Sequence, residues 1–384
     1  MKRLLPWFVG LLALSVGAVY LGYLSRSFAG MLTGVALAFM AIAVVVQPLR
    51  TAITVMVSLM LALSLAEVGL GLLPAPESTQ AYMDPTTDYV KHYWNHTDIG
   101  ALPRPGKHTT RKLAPDGSEI YSTSYTIAED GFRVTPGNPV ASKKRLNFLG
   151  CSHTFGEGLG DDQTLPAQVQ KLLPDVTVRN FGIHGYGMHQ ALALMQSQRD
   201  MSGQVNLAIT VPWHAERSAC VPSFALGSPR YVLQANGRVV RDGVCGGIAY
   251  YPLARILSLS KVYGLVKTAL QTKQDQDAQI DLYLGILREM AKLSASRGQV
   301  LKIGFFKADP AWFTGRYTNE KVLDAIKAID SDVIDLMLSD KEQYRGKKLI
   351  LHPLDEHASA LANEITGPLV AASLAKTLGN LKAN

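Results

Sequence analysis

The sequence predicts an α/β protein with a mostly parallel sheet covered on both faces, preceded by transmembrane helices. Three observations carry this. Residues 4–73 hold almost no charge, whereas residues 74–384 read as ordinary soluble chain. Beyond residue 145, short apolar runs alternate with helical stretches, the pattern of buried parallel strands joined by covering helices. Two of those runs close on a glycine, Gly150 and Gly182.

The apolar stretches are 4–24, 28–46 and 51–73, each near the ~20 residues that cross a ~30 Å hydrocarbon core. Breaks fall at Ser25-Arg26-Ser27 and Gln47-Pro48-Leu49-Arg50. The first stretch lacks a small-residue cleavage site and two more follow at once, which favours a span over a cleaved signal peptide. Three spans are expected, with two spans and one interfacial segment as the fallback. Lys2, Arg3 and Arg50 flank one side and Arg26 the other, so the positive-inside rule puts the N-terminus in the cytoplasm and residues 74–384 outside; the expected location is a bacterial inner membrane with this part facing the periplasm or exterior. For Glu67, near the end of the third span, two readings stay open: a contact inside the membrane or a carboxylate that snorkels to the rim.

The net charge is +7 and the pI about 9.1. The basic residues are scattered (Lys107, Arg111, Lys112, Lys143 to Arg145), which reads as a solvated surface and not as a nucleic-acid patch. Of three cysteines, Cys220 and Cys245 bracket a hairpin of Tyr231–Leu233 and Arg238–Val240 turning at Asn236-Gly237. A disulfide between them suits an oxidising compartment; two free thiols are the alternative. No Cys/His spacing of the metal-binding kind is present, and neither a phosphate-binding loop nor a dinucleotide fingerprint occurs. No metal or nucleotide cofactor is expected. His92, His96, His108, His153, His184, His189 and His352 show no ligand spacing, although His153 and His184 are expected to border the cleft. Tyr89, Tyr93 and Trp94 read as packing residues more readily than as a sugar platform.

The expected organisation is a membrane anchor over 1–75, an irregular lead-in over 76–142 that packs on the following domain, and an α/β domain over 143–384. Within the lead-in, Glu119–Ile127 is strand-like and Asp130-Gly131-Phe132-Arg133 follows. Strands are then expected at Leu146–Leu149, Val176–Phe181, Leu207–Val211, Val300–Phe306 and Lys348–Leu351. Helices are expected at Leu165–Leu173, Met188–Gln198, within 254–297, over 320–338 and at His357–Leu378.

In parallel sheets the reacting residues collect at the carboxyl ends of strands. The first strand is followed by Cys151-Ser152-His153-Thr154-Phe155-Gly156, a glycine-flanked turn that exposes a serine. The second is followed by Ile183-His184-Gly185-Tyr186-Gly187, whose glycines let a backbone N–H approach a ligand. After the last come Leu354-Asp355-Glu356-His357, in which an Asp can orient a His; the plainer reading makes Asp355 a helix cap. Singly each is weak; in this order, each at the correct strand end, they point to a serine nucleophile.

The run FLGCSHTFGEG ending at Gly158, then Asp162-Gln163-Thr164 and N-F-G-I-H-G-Y-G-M-H-Q from Asn180, resembles the SGNH (GDSL-type) hydrolase superfamily over about residues 120–378. The resemblance implies a flavodoxin-like three-layer α/β/α fold. It also implies Ser152 as nucleophile, His357 as general base, Asp355 as its partner, and an oxyanion hole from the N–H groups of Ser152 and Gly185. Three departures stand out. Cys151 replaces the usual Asp. The Gly-x-Asn-Asp block is missing, and His214 in Val211-Pro212-Trp213-His214 takes about the place of its Asn; loss of one oxyanion donor typically costs roughly 10²–10³ in rate. The spacing is Asp-x-His, which resembles proteins of exopolysaccharide O-acetylation. The expected function is therefore a membrane-anchored serine esterase or O-acyltransferase of acetyl-ester type. Its substrate would be an acylated small molecule or a cell-envelope glycan, and a membrane protein of polysaccharide assembly is the expected partner. The competing reading is an inactive scaffold or glycan-binding subunit; a transporter finds no support in the spans, which show no internal repeat.

Overall fold

A computed structural model describes residues 5–73, 80–88, 93–96, 98–138, 142, 144–197, 199–221, 225–246, 256–257, 259–270 and 275–380. Tyr89 and His92 lie outside these residues, as do the side chains of Tyr93, Trp94 and His96. By internal contacts the chain divides into two units, Met1–Glu77 with Ala249–Lys273, and Ser78–Ile248 with Gln274–Asn384.

The first unit contains three helices long and apolar enough to cross a membrane, Pro6–Leu24, Phe28–Val45 and Gln47–Leu72. Hydroxyls tie them together: the Ser15 hydroxyl donates to the Gly34 carbonyl at 2.7 Å, and Thr33 donates to Ser64 at 3.3 Å. Glu67 makes a defined contact. Its carboxylate accepts from the Ser260 hydroxyl and from the backbone N–H groups of Lys261 (2.8 Å) and Val262 (3.1 Å). It thereby caps the helix Lys261–Leu270, where a negative charge meets unpaired donors and the positive end of the dipole. Of the helical stretch expected within 254–297, this part belongs to the apolar unit; the rest, Gln276–Ser296, belongs to the α/β unit.

The second unit is built on five parallel strands: β1 (Arg145–Gly150), β2 (Thr177–Gly182), β3 (Val205–Thr210), β4 (Val300–Phe305) and β5 (Ile334–Asp335). Their order across the sheet is β2-β1-β3-β4-β5. That is the flavodoxin-like doubly wound order, with its reversal between β1 and β3, where a crevice opens at the carboxyl ends. Strand side chains alternate between two cores. Leu146, Phe148 and Leu207 face one layer with Val169 of Leu165–Leu172 and Val370 and Leu374 of Ala360–Asn380. Leu149, Ala208, Ile303 and Phe305 face the other with Leu192, Ile280 and Leu287 from Met188–Gln196 and Gln276–Ser296. The result is three layers, α/β/α.

Three expected elements are corrected. The helix expected over 320–338 ends at Lys327, and β5 follows at Ile334–Asp335 as the sheet edge. Asp330 forces the turn, accepting from the Ile303 N–H and from the Lys302 ammonium, both at 2.8 Å. The strand expected at Lys348–Leu351 lies at Ile350–His352, outside the parallel sheet, paired antiparallel with Asp355–Ala358. The closing helix begins at Ala360, not His357, and Ser359 caps it, its hydroxyl accepting from the Ala362 N–H at 3.1 Å. Asp355 is thus free of capping duty.

The segment expected to be irregular is more regular than its composition suggests. Gly106–Leu113 and Glu119–Ile127 form an antiparallel hairpin that pairs with Tyr82–Met83. Bridges from Arg133 to Ile127 and to Asn180 of β2 tie it to the parallel sheet. A second hairpin, Pro229–Leu233 with Val239–Val244, turns through Gly237 at φ +78°, and Cys220 and Cys245 form a disulfide beside it.

Candidate active site

Ser152 is the first residue of a single helical turn, Ser152–Phe155, that starts directly beyond β1. The turn settles onto the strand ends because Gly182 carries no side chain: a Cβ there would lie 2.3 Å from the Phe155 nitrogen. Asn180 stitches the same place, donating to the Phe155 carbonyl at 3.3 Å and accepting from the Gly182 N–H at 3.0 Å. Arg133 clamps the far end. Its buried guanidinium donates to the carbonyls of Phe155 (2.9 Å), Gly156 (2.7 Å) and Leu159 (2.6 Å), pairs with Asp161 at 3.0 Å, and lies over the Tyr125 ring at 4.5 Å.

The Ser152 Oγ lies 2.7 Å from His357 Nε2, and His357 Nδ1 lies 2.5 Å from Asp355 Oδ1. The Asp355 carboxylate also accepts from the His357 backbone N–H at 3.2 Å, which fixes the turn that presents the ring. The three residues come from opposite ends of the α/β unit and meet at the reversal of the sheet.

No model of a known protein family matches the sequence, and no curated protein matches it. Solved structures do. A psychrotrophic esterase from Pseudoalteromonas sp. is similar at 13% identity and a TM-score of 0.35, over 62% of this chain and 100% of that one. A member of the lipolytic G-D-S-L family from Veillonella parvula is similar at 12% identity and 0.35, over 60% and 97%. AlinE4, an SGNH-hydrolase family esterase, is similar at 14% identity and 0.30, over 62% and 99%. Likenesses this distant leave the chemistry to be read from the site itself.

Around the triad lies a charged network that sequence reasoning missed. The Lys112 ammonium, from the hairpin, sits 2.9 Å from Asp355 Oδ2 and 3.0 Å from Glu157 Oε1. Glu157 also accepts from the Tyr121 hydroxyl at 3.2 Å, meets His184 Nδ1 at 2.7 Å, and lies 3.6 Å from His357 Nε2. Burial alone would raise the Glu157 carboxyl, but His357, His184 and Lys112 together hold it well below the usual range. Asp355 follows the same logic: its burial is outweighed by His357 and Lys112, and its carboxyl is lowered. Burial works against the Lys112 ammonium, which the two carboxylates nevertheless raise. Glu157, Asp355 and His357 present ligand atoms within 4.8 Å of one another. The cation they share is Lys112, so the cluster fits an internal ion pair better than a metal.

Gly185 sits in the turn after β2 at φ +74°, a conformation that favours glycine. The Arg217 guanidinium donates to the next carbonyl, that of Tyr186, at 2.8 Å and lies 4.2 Å from the Trp213 ring centroid. His214 is fully buried under the carboxyl end of β3. Its Nδ1 lies 3.0 Å from Thr210 Oγ1, which is 2.9 Å from the Tyr283 hydroxyl, and its Nε2 has no partner. Burial and the nearby Arg217 charge push its pKa well below the ordinary value, so the ring is neutral. Among the described residues no hydrogen bond joins His214 to Ser152 or His357. Cys151 is buried as a free thiol directly before the serine. His153 borders the site, its ring centroid 4.7 Å from that of His357; burial, then His357 and Arg217, push its pKa down to about 3.

Proposed function

We propose that the α/β unit is a serine esterase or O-acyltransferase in which Ser152 is the nucleophile, His357 the general base and Asp355 the residue that orients it. The observation that carries this reading is the continuous chain Ser152 Oγ, His357 Nε2, His357 Nδ1, Asp355 Oδ1 at 2.7 and 2.5 Å. With the ring proton on Nδ1 and held by Asp355, Nε2 is the acceptor for the serine proton. Ser152 attacks the ester carbonyl and its proton passes to His357. The tetrahedral oxyanion collapses, and His357 returns the proton to the departing alcohol. The acyl-Ser152 intermediate is then cleared by water, giving hydrolysis, or by a sugar hydroxyl, giving acyl transfer.

The N–H groups of Ser152 and Gly185 are the proposed oxyanion donors. The proposed third is His214, supported by its neutral ring and unpartnered Nε2. If Tyr283 donates to Thr210 and Thr210 to His214 Nδ1, the imidazole proton resides on Nε2 as a donor.

We place this chemistry outside the inner membrane, on an acylated small molecule or cell-envelope glycan, with a polysaccharide-assembly membrane protein as partner. The loop charges around the three apolar helices and the Cys220–Cys245 disulfide support that side. A scaffold or glycan-binding role is the second reading, and the 2.7 Å Ser152–His357 contact weighs against it. The test is ester hydrolysis by the full chain in detergent, with and without glycan acceptors. Turnover lost in Ser152→Ala and in His357→Ala supports the enzyme. Turnover unchanged in both variants overturns the assigned residues, and turnover absent in the folded wild type leaves the scaffold.

A further inference from the structure

We infer that the acyl group carried by Ser152 is a medium-length hydrocarbon chain, seated in an apolar cavity that opens beside His153; this rests on the esterase or acyltransferase reading above.

The cavity has a volume of about 370 Å³. It lies at the carboxyl ends of β3, β4 and β5, on the opposite side of β1 from Gly185. Its floor is formed by Leu165, Ile209, Leu336 and Leu338, all buried, with Phe306 as one wall. Buried Asn363 and Thr366 also line it, as do Ser339, Lys307, paired with Asp340 at 2.5 Å, and Glu356, exposed beside the base His357. A mainly aliphatic floor with a few polar groups suits an amphiphile whose tail is inside and whose ester stays at the edge.

His153 joins the cavity to the chemistry. It follows the nucleophile directly in sequence, its ring stands 4.7 Å from His357 and 5.3 Å from Phe306, and it lines the cavity. The ring is thus a neighbour of both the base and the cavity wall. Kept neutral by burial, it adds no charge to a hydrocarbon-lined wall. The proposed oxyanion donor Gly185 follows β2, on one side of β1. An acyl-Ser152 whose carbonyl oxygen points that way directs its chain toward β3 and β4, where the cavity lies.

Size sets the class. An acetyl group would leave most of the space empty. An apolar cavity of roughly 150 Å³ holds a benzene-sized group, so this one has room for a chain of several methylenes. Each further methylene buried adds to binding, so chain length should register strongly in selectivity.

The experiment uses the full chain in detergent and p-nitrophenyl esters from acetate to dodecanoate. The wild type should prefer hexanoate to decanoate over acetate by at least ten-fold in kcat/KM. Leu338→Trp, which fills the floor, should lower the octanoate-to-acetate ratio at least ten-fold. Ile350→Trp, at a partly exposed lining position, should act in the same direction if the buried substitution does not fold. Decanoate binding to Ser152→Ala, measured calorimetrically, provides a readout free of turnover, and Leu338→Trp in that background should abolish it. A wild type that turns over acetate fastest and binds no decanoate overturns the inference while leaving the serine chemistry intact. Failure of Ser152 itself appears separately, as decanoate binding without any ester turnover.

Discussion

The Lys112 ammonium lies 2.9 Å from the Asp355 carboxylate that orients His357, and the same ammonium is 3.0 Å from Glu157. The hairpin ahead of the parallel sheet thus supplies the counter-charge for two carboxylates buried at the site. Removing one partner of a buried ion pair is far costlier than never having built it. Lys112→Met leaves Asp355 and Glu157 facing each other without a cation. It should lower stability by about 3 kcal/mol, seen as a reduced midpoint in thermal unfolding, and should reduce esterase kcat. Lys112→Arg should recover part of both. Wild-type stability in Lys112→Met would show that the pair is not an organising feature.

Acid sensitivity should begin well above the carboxylate range. His189 is buried and His153 half-buried with its Nδ1 sealed from solvent, and desolvation pushes both down to about 3; His214 is lowered in the same direction. In the unfolded chain these imidazoles take up protons as pH falls through about 6.5, while the folded chain refuses them until far lower. The unfolded state gains protons, so stability is fully present above pH 6.5 and drains away as pH falls. The lowered carboxyls of Asp355 and Glu157 act with the same sign, but only near and below their ordinary values of 3.8 and 4.5. Among the described residues the hydrogen-bond partner of His189 is Ser228, at 3.1 Å through Nε2, and His189 belongs to none of the proposed chemistry. His189→Gln should flatten the stability-against-pH slope between pH 6 and 4 by up to about 1.4 kcal/mol per pH unit. Parallel slopes in denaturation series of variant and wild type would refute this.

His214 separates an electrostatic role from a packing role. As a third oxyanion donor, it should cost roughly 10²–10³ in kcat when changed to Phe, with KM little altered. If its work is only to fill space beside Thr210 and Trp213, His214→Phe should change the unfolding midpoint and leave kcat within a few-fold.

Much of the fold was legible because burial on both faces leaves a continuous apolar run, and the glycines ending β1 and β2 mark where a helical turn must approach closely. That Ser152, His357 and Asp355 meet was legible for a related reason: they follow strand-like runs, as Gly185 does, and chain geometry brings strand ends together. The last of those runs proved to belong to a separate antiparallel pair, which local periodicity cannot distinguish from a sheet strand. Lys112 was illegible. In Gly106–Leu113 it shares a strand face with His108 and Thr110, and a run of polar residues on both faces does not tell which face turns inward. Arg133 was equally silent, although its partners are backbone carbonyls of a glycine-rich turn, which often need a donor. Glu157 did carry a signal: a lone acid between Gly156 and Gly158, in an otherwise uncharged run around the serine, has no evident solvent role. Glu67 was noticed, but its partner helix at Lys261–Leu270 lies far along the chain, and no periodicity links the two.

The most direct test of Ser152 as an activated nucleophile is covalent labelling of the folded full chain by a fluorophosphonate, located by peptide mass spectrometry. The expected result is one adduct, on Ser152, absent from Ser152→Ala and formed far more slowly in His357→Ala. A folded wild type that takes up no label, or a label that persists in Ser152→Ala, would contradict the serine mechanism.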